Sequence, residues 1–438
     1  MEDHHFQLEM FQETIVTSAY AKVTMVSIKN KTLLMEPISD VARSLDVSID
    51  TIRRWEKKGL IKGIRNSRGD RLFSTEEVKK LYFKMTNKSS EGFKVLKKSQ
   101  KSNLSVVELF AGAGGMALGF ENAGLTSKLL IEIDKNACQT LRLNRPHWNV
   151  IEKDISKVSF REKMSDILAG GFPCQAFSYA GKQLGFEDTR GTLFFEFARA
   201  IQEIQPRVIV GENVRGLEKH DDGRTLKTML SILNEIGYDI AYRVLRSQYL
   251  DVPQKRERLV IIGVKKKSEI PLFFPKEQDY TITLRDALKN VPTSSGQIYT
   301  DRKKTIMRLI PEGGYWKDLS DENQRDYMGR SFFLGGGKTG MARRLSWDEP
   351  SLTLTCNPAQ KQTERCHPSE TRPLRVREYA RLQTFPDEWV FHGSVASQYK
   401  QIGNAVPVNL GYHIGRCLIA MLNGKFDSKT MIQVQKIS

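Results

Sequence analysis

Cysteine is scarce in this chain of 438 residues: five, at Cys138, Cys174, Cys356, Cys366 and Cys417, with no CxxC pair. An odd count at irregular spacing argues against a disulfide framework and against a structural zinc site, so no metal is expected. No run of about 18 apolar residues is available to span a bilayer. The first residues, MEDHHFQLEMFQETIV, have no basic segment followed by an apolar one, so no secretory leader is expected. The expected compartment is the cytoplasm. Acidic residues are also in deficit, 51 against 68 Lys and Arg, for a formal charge of +17. That excess points to a polyanionic partner, since each cation set on a phosphate releases a condensed counterion. The length calls for more than one domain.

Residues 1–35 alternate weakly (ETIVTSAYAKVTMVSIK) and read as either a short strand or a loose arm. After Pro37 the pattern sharpens: Ile38, Val41, Ala42 and Leu45 recur at helical spacing. A second helix starts near Ser48 or Asp50, with Ile52, Trp55 and Leu60 on one side and Arg53, Arg54, Lys57 and Lys58 on the other. Asn66 to Asp70 reads as a hairpin tip between short strands, and Ser74-Thr75-Glu76-Glu77 as the capped start of a third helix. This segment, ISDVARSLDVSIDTIRRWEKKGLI followed by a wing, resembles the winged helix-turn-helix of MerR regulators over about residues 36–85. The resemblance implies duplex binding, with Arg53, Arg54 and Lys57 on the groove-entering helix and Arg65, Arg68 and Arg71 near phosphates. Residues 86–103 (TNKSSEGFKVLKKSQKSN) are polar and read as a flexible linker.

A new unit begins at Leu104. The strand SVVELF runs into AGAGGMALGFENAG, giving strand, glycine-rich turn and helix. Gly112, Gly114 and Gly115 let a ligand approach the backbone, and a dinucleotide pocket fits that turn comparably well. Glu132 closes the next apolar run (SKLLIEID) at the spacing of a ribose-binding carboxylate, and Asp154 follows a third run, placed for an adenine amino group. No GxxxxGK[ST] phosphate grip is present. Ribose and adenine without phosphate suit S-adenosylmethionine, whose sulfonium makes its methyl electrophilic.

After the strand DILAGGF comes Pro173-Cys174-Gln175, a cysteine on a strand-to-loop turn that can serve as a thiolate nucleophile. PRVIVGENV brings Glu212 and Asn213 to a strand's carboxyl end, and QKRERLVIIG sets Gln254, Arg256 and Arg258 on one face. Thiol, carboxyl and guanidinium are expected together on parallel-strand ends, poised against an electron-poor ring.

The segments ELFAGAGG, GGFPCQAFS, RGTLFFE, GENVRGL, QKRERL, RPLRVREYARLQTFPDEW and QIGNAVPVNL stand in the order of bacterial C5-cytosine DNA methyltransferases. The chain resembles that family from about Leu104 to Leu422. The resemblance implies an α/β, doubly wound, Rossmann-like S-adenosylmethionine-dependent domain (104–270 and 396–424) carrying a small inserted target-recognition domain (271–395). It implies that Cys174 attacks carbon 6 of a flipped cytosine, that Glu212 assists at ring nitrogen 3, and that Arg258 holds the carbonyl oxygen. Arg256 is expected to organise Glu212 or a phosphate. Phe110, Gly112, Gly114, Glu132, Asp154, Ile155, Pro173, Leu193 and Asn404 match positions that contact the cofactor, converted to S-adenosylhomocysteine on transfer. Ser178, Lys182 and Arg190 fall in the loop that closes on DNA. Arg330, Lys338, Arg343, Arg344, Lys361, Gln362 and Thr353 are expected to meet duplex DNA in the recognition interval.

Residues 425–438 read as a loose tail. A restriction–modification role is implied, with a cognate endonuclease as a functional partner, a nucleoid-associated location, and the N-terminal domain acting on the enzyme's own promoter. Two competing readings differ in class: an RNA cytosine methyltransferase, for which the Cys-Phe-Thr signature is missing, and a transcriptional regulator with vestigial catalysis, against which Cys174, Glu212 and Arg258 stand intact.

Overall fold

The computed structural model describes residues 13–18, 21–28, 31–44, 48–57, 59–66, 68–74, 93–98, 100–161, 164–172, 193–336 and 338–437. The chain forms two compact units, Met1–Ser89 and Ser90–Ser438.

In the first unit the stretch that read as a strand or loose arm is sheet. Strands β1 (Glu13–Ser18), β2 (Ala21–Ile28) and β3 (Lys31–Pro37) form an antiparallel meander, and β3 runs directly into helix α1 (Ile38–Ser44). Helix α2 (Ile49–Lys57) precedes the hairpin of β4 (Gly63–Arg65) and β5 (Arg71–Ser74). Met35 to Pro37 of β3 pair with Leu72 to Ser74 of β5, so meander and wing share one five-stranded sheet. At the wing tip Asn66 Oδ1 accepts the Arg68 and Asp70 N–H groups, and Gly69 takes a φ of +83°. Val41, Ala42, Ile52, Ile61 and Phe73 form the core of the helix pair. Full burial of each large aliphatic is worth about 1.5–3 kcal/mol. The third helix expected from Ser74 onward falls on residues 75–92, outside the described residues.

The second unit is built on a seven-stranded sheet. Its strands are β6 (Ser105–Leu109), β7 (Thr126–Glu132), β8 (Val150–Glu152), β9 (Ile167–Gly170), β10 (Val208–Val214), β11 (Tyr238–Arg246) and β13 (Glu257–Lys265), in the order β11-β13-β10-β9-β6-β7-β8. The five strands from β10 to β8 are parallel, while β13 is antiparallel to both neighbours. Strand order reverses at β6 and β9, the crevice where open α/β sheets bind ligands. Helices α3 (Gly115–Ala123), α4 (Lys135–Asn144), α5 (Leu193–Ile204) and α6 (Arg224–Glu235) supply the crossovers.

The helix that ends the domain, α12 (Val408–Asn423), packs directly on α3. Glycine makes this possible: a Cβ at Gly119 would lie 2.4 Å from the Val408 carbonyl oxygen, and one at Gly115 would lie 2.0 Å from that of Val406. Two segments expected to be loose are docked on this body. In the linker, Leu96 N–H donates to Asn409 Oδ1 (2.9 Å) and Asn409 Nδ2 donates to the Lys94 carbonyl (3.0 Å), while Phe93 and Val95 pack on the core. In the tail, β16 (Met431–Val434) pairs antiparallel with β14 (Leu272–Pro275), and Lys436 binds Asp239 at 2.8 Å.

The interval expected to form the recognition domain is not packed as one piece. Leu272, Phe273 and Phe274 belong to the catalytic core, and Leu284, Leu288, Tyr379, Leu382 and Trp389 pack with residues of α3. A separate core spans only Tyr299 to Cys366, around helices α8 (Asp301–Arg308) and α9 (Asp321–Met328). Those labels leave α7 for Leu284–Leu288, α10 for Val376–Leu382 and α11 for Val395–Asn404, with short paired strands β12 (Gln254–Lys255) and β15 (Ser351–Leu352) between the two cores.

Candidate active site

The turn after β6 is backbone-strained. Phe110 takes a φ of +58°, unusual for a residue with a side chain, and Gly112 and Gly114 follow at +55° and +84°. Gly114 caps α3, and a Cβ at Gly112 would meet nothing within 4 Å, so this turn faces open space. Gly112 N–H donates to Glu132 Oε2 at 2.7 Å, while Glu132 Oε1 accepts Ile133 N–H and Asp134 N–H, both at 2.9 Å. The carboxylate at the end of β7 is thereby held against the glycine turn. Asp154 is held at the start of a short 3-10 turn: its Oδ1 accepts the Ser156 N–H (3.0 Å) and hydroxyl (2.8 Å), and these bonds lower its pKa. Ile155 is buried, and Phe110 and Leu193 pack against the same apolar cluster. Asn404, at the end of α11, is exposed, and its Oδ1 accepts the Cys356 thiol at 3.0 Å.

Two acids, apolar walls and an amide around an open glycine turn fit a nucleoside cosubstrate. Among the described residues, Glu132 and Asp154 take their hydrogen bonds from backbone N–H groups and the Ser156 hydroxyl, not from a cluster of cations. Among the described residues, no group of three His, Cys, Asp or Glu side chains is arranged to hold a metal ion.

Two of the expected catalytic groups, Glu212 and Arg258, meet at the neighbouring strand ends. Glu212 lies near the carboxyl end of β10 and Arg258 near the start of β13, paired diagonally: Val214 stands opposite Arg258, and Glu212 opposite Val260. Parallel-strand ends were expected; instead the reversal of β13 brings its beginning beside the end of β10. Arg258 Nε donates to Glu212 Oε1 at 2.9 Å, with both side chains 12% exposed. Burial pulls the pKa of Arg258 down, and the charge of Glu212 opposes that.

Asn213, placed beside Glu212 by the sequence but given no role there, ties this edge to the next strand: its Nδ2 donates to the Phe172 carbonyl at 2.8 Å. Gly211 pairs with Gly170, and a Cβ at Gly171 would lie 3.1 Å from Glu212 Oε2. The last described residues before Pro173 and Cys174 therefore lie against Glu212. Pro173, Cys174, Ser178, Lys182 and Arg190 themselves fall outside the described residues.

Arg256 does not organise Glu212 by hydrogen bonding, nor does it face a phosphate. It is buried and donates to the carbonyls of Leu354 (3.3 Å), Gly403 (3.1 Å) and Ala405 (3.0 Å), with Nε lacking a partner among the described residues. Those carbonyls bracket Asn404 and follow Thr353. Burial pulls its pKa far down, and the Arg258 charge adds to this. Buried Gln254 and Gln383 complete the lock. Gln254 Oε1 accepts Leu354 N–H (2.9 Å), its Nε2 donates to Gln383 Oε1 (2.9 Å), and Gln383 Nε2 reaches the Ile402 and Ala405 carbonyls. Gln383, within RLQTFP, carries no local signal of this role. Thr353 Oγ1 is committed to the Lys255 carbonyl at 2.6 Å.

The expected DNA contacts divide. Arg53, Arg54, Lys57, Arg65 and Arg68 are exposed, as are Arg330, Lys361 and Gln362. Arg343 is half-buried over the Tyr315 ring. Arg344 is not available: 5% exposed, it donates to the carbonyls of Met307, Ile310, His367, Pro368 and Glu370 and to the Thr371 hydroxyl. A loop without periodicity cannot reveal which of two adjacent arginines is fully taken into the interior. Lys338 is also engaged, its ammonium donating to the Ser331, Phe332 and Leu334 carbonyls.

This sheet, glycine turn and carboxyl–guanidinium edge define a methyltransferase fold. Residues 104–420 match the family of C-5 cytosine-specific DNA methylases, and the chain belongs to that family. Residues 37–95 match the MerR helix-turn-helix family. Among its relatives, type II methyltransferase M.Eco47II of Escherichia coli is 55% identical over 398 residues, 88% of this chain and 95% of that enzyme. Type II methyltransferase M.Sau96I of Staphylococcus aureus is 48% identical over 423 residues, 93% of this chain and 98% of that enzyme. In three dimensions the S. pombe Dnmt2 methyltransferase superposes with a TM-score of 0.52 at 17% identity, covering 72% of this chain and 99% of that one, a likeness of fold.

Proposed function

We propose that this enzyme methylates carbon 5 of a cytosine turned out of a specific duplex site, through a covalent adduct with Cys174, as the modification arm of a type II restriction–modification system. The Glu212–Arg258 pair beside the strand that leads to Cys174 is the observation that carries this reading. Neutral cytosine is a poor carbon nucleophile, so the ring must be activated covalently. The Cys174 thiolate adds to carbon 6, and its electron pair moves the ring density toward carbon 5 and nitrogen 3. Glu212 supplies a proton or hydrogen bond at nitrogen 3, and Arg258 fixes both the carboxyl and the ring carbonyl oxygen. S-adenosylmethionine, when bound, supplies an electrophilic methyl group on a sulfonium. Glu132 would hold its ribose, Asp154 its adenine amino group, and Phe110, Ile155 and Leu193 the apolar walls, with Gly112, Gly114, Pro173 and Asn404 completing the site. Loss of the carbon 5 proton then expels Cys174 and restores the ring.

Arg256 locks Asn404 and the Thr353–Leu354 pair to the strand that carries Arg258. Ser178, Lys182 and Arg190 belong to the segment assigned to closure over DNA. Bisulfite sequencing of a plasmid from cells expressing the chain tests the reading. A consistent protected context names the site, and absence of protected cytosines refutes the activity.

The first unit supports a second role. Exposed Arg53, Arg54 and Lys57 on α2 and Arg65 and Arg68 on the wing form a basic duplex-binding face, which we assign to the enzyme's own promoter in a cytoplasmic, nucleoid-bound setting. Footprinting of the upstream region by the full chain should show a protected site that Arg53→Ala/Arg54→Ala loses. No protection with the wild type would refute autoregulation.

A further inference from the structure

The loop after α9 presents an aromatic ring to solvent on a rigid mount. Phe333 is 79% exposed and Leu334 65% exposed. Isolated apolar residues on a surface are ordinary, but this one is held. Phe333 stands edge-on to Phe332 with centroids 5.3 Å apart, and Phe332 is edge-on to buried Trp316 at 6.1 Å. The Arg325 guanidinium covers Phe332 at 5.3 Å. The Lys338 ammonium, bonded to the carbonyls of Ser331, Phe332 and Leu334, ties the two arms of the loop together. An ordered aromatic tip loses little conformational entropy when it is buried by a partner.

The surroundings of the tip are basic. Arg330 is exposed beside it, and Lys361 lies over Tyr327 and reaches the Met328 carbonyl at 3.4 Å. Two nearby acids are engaged, Asp326 binding Arg302 at 2.7 Å and buried Glu364 binding Lys303 at 2.9 Å, while Asp321 and Glu322 lie at the far end of α9. An apolar ring within a cationic collar is complementary to a duplex, which offers phosphates outside and aromatic faces within.

We propose that Phe333 enters the base stack of the target duplex as this loop seats, with Leu334 following it against the opened step and Arg330 and Lys361 on the flanking phosphates. Lys338 is then a positioning residue that holds the wedge. Aromatic insertion stabilises an unstacked step and so lowers the free energy needed to open the helix at the target. This assignment rests on the DNA-methyltransferase reading and deepens it by naming the residue that enters the helix.

The test uses the full chain and a duplex carrying the site defined by bisulfite mapping. Phe333→Ala should bind that duplex about 5- to 100-fold more weakly than wild type, with S-adenosylmethionine binding and thermal midpoint unchanged. Phe333→Trp should retain near wild-type affinity, and its added emission should be quenched on duplex binding, as stacking on bases requires. Affinity of Phe333→Ala within twofold of wild type overturns the proposal. So does weakened binding accompanied by unquenched Phe333→Trp emission, which would place the ring in a groove. Failure of the wild type to methylate DNA would instead refute the reading beneath it.

Discussion

Arg258 Nε sits 2.9 Å from Glu212 Oε1, a contact made across two antiparallel strands by residues diagonal to one another on one face. Arg258 also donates Nη1 to the Glu257 carbonyl at 2.7 Å, so the guanidinium is fixed before any substrate arrives. A carboxyl held at one oxygen by Arg258 has its other oxygen beside Gly171, where the proposed mechanism sets the ring. Glu212→Gln keeps the shape but cannot deliver a proton. Single-turnover methyl transfer should fall about 100-fold or more, with cofactor affinity unchanged by calorimetry.

The Arg344 side chain is a hub of buried hydrogen bonds beside the Tyr299–Cys366 core and is not exposed to reach a base. Arg344→Met removes a donor from five carbonyls, of which that of Glu370 keeps the Arg372 N–H. Buried unsatisfied groups cost about 1–3 kcal/mol each, partly relieved by relaxation, so a loss of roughly 3 kcal/mol or more is expected. Denaturant unfolding checks the size. The salt dependence of DNA binding by the folded fraction should keep the wild-type slope, whereas a lost phosphate contact would reduce it by about 1.

Asp251 joins three segments: it accepts His413 Nε2 at 2.9 Å and the Tyr280 hydroxyl, and its own carbonyl accepts Asn409 Nδ2 at 2.7 Å. Burial alone would raise its pKa, but the bonds from His413 and Tyr280 outweigh burial and hold it below the ordinary value. A depressed carboxylate stabilises the fold above its unfolded pKa of about 3.9 and loses that contribution as pH falls through the lower folded value. Asn tolerates the φ of +56° found at this position, so Asp251→Asn isolates the charge. The variant should melt below wild type at pH 6, and the gap should shrink toward pH 3. A constant gap would show that the charge is not the stabilising element.

Cys356 donates its thiol to Asn404 Oδ1 at 3.0 Å, which fixes the orientation of an amide that the proposed function assigns to the cofactor. Cys356→Val should weaken S-adenosylmethionine binding several-fold by raising KM with kcat little changed, and Cys356→Ser should restore it. Equal affinity in all three proteins, measured by calorimetry, would remove this orienting role.

Legibility followed periodicity and motif length. The β6–glycine turn–α3 unit, the wing tip at Asn66 and the carboxyl end of β10 were readable because each couples an apolar run to a residue type that terminates it. The meander of β1 to β3 was not, since its strands alternate weakly and only β3 is anchored to the wing, by pairing with β5 more than 30 residues on. The docked linker and tail escaped for a related reason: Leu96 is held by Asn409 across 313 positions, and nothing local marks either residue. Arg256 read as catalytic from its spacing beside Arg258, yet it turns into the interior. Side-chain direction at the β12–β13 junction depends on which carbonyls lie there, and those belong to distant loops.

The covalent step is the central claim, and a duplex carrying 5-fluorocytosine at the mapped position tests it most directly. Fluorine cannot leave as a cation, so once methyl transfer has occurred Cys174 cannot be expelled. The account predicts a cofactor-dependent, denaturant-resistant complex between chain and duplex, mapped to Cys174 by mass spectrometry and absent in Cys174→Ser. Methylation of ordinary duplex without any trapped complex, or a complex mapped to another residue, would contradict it.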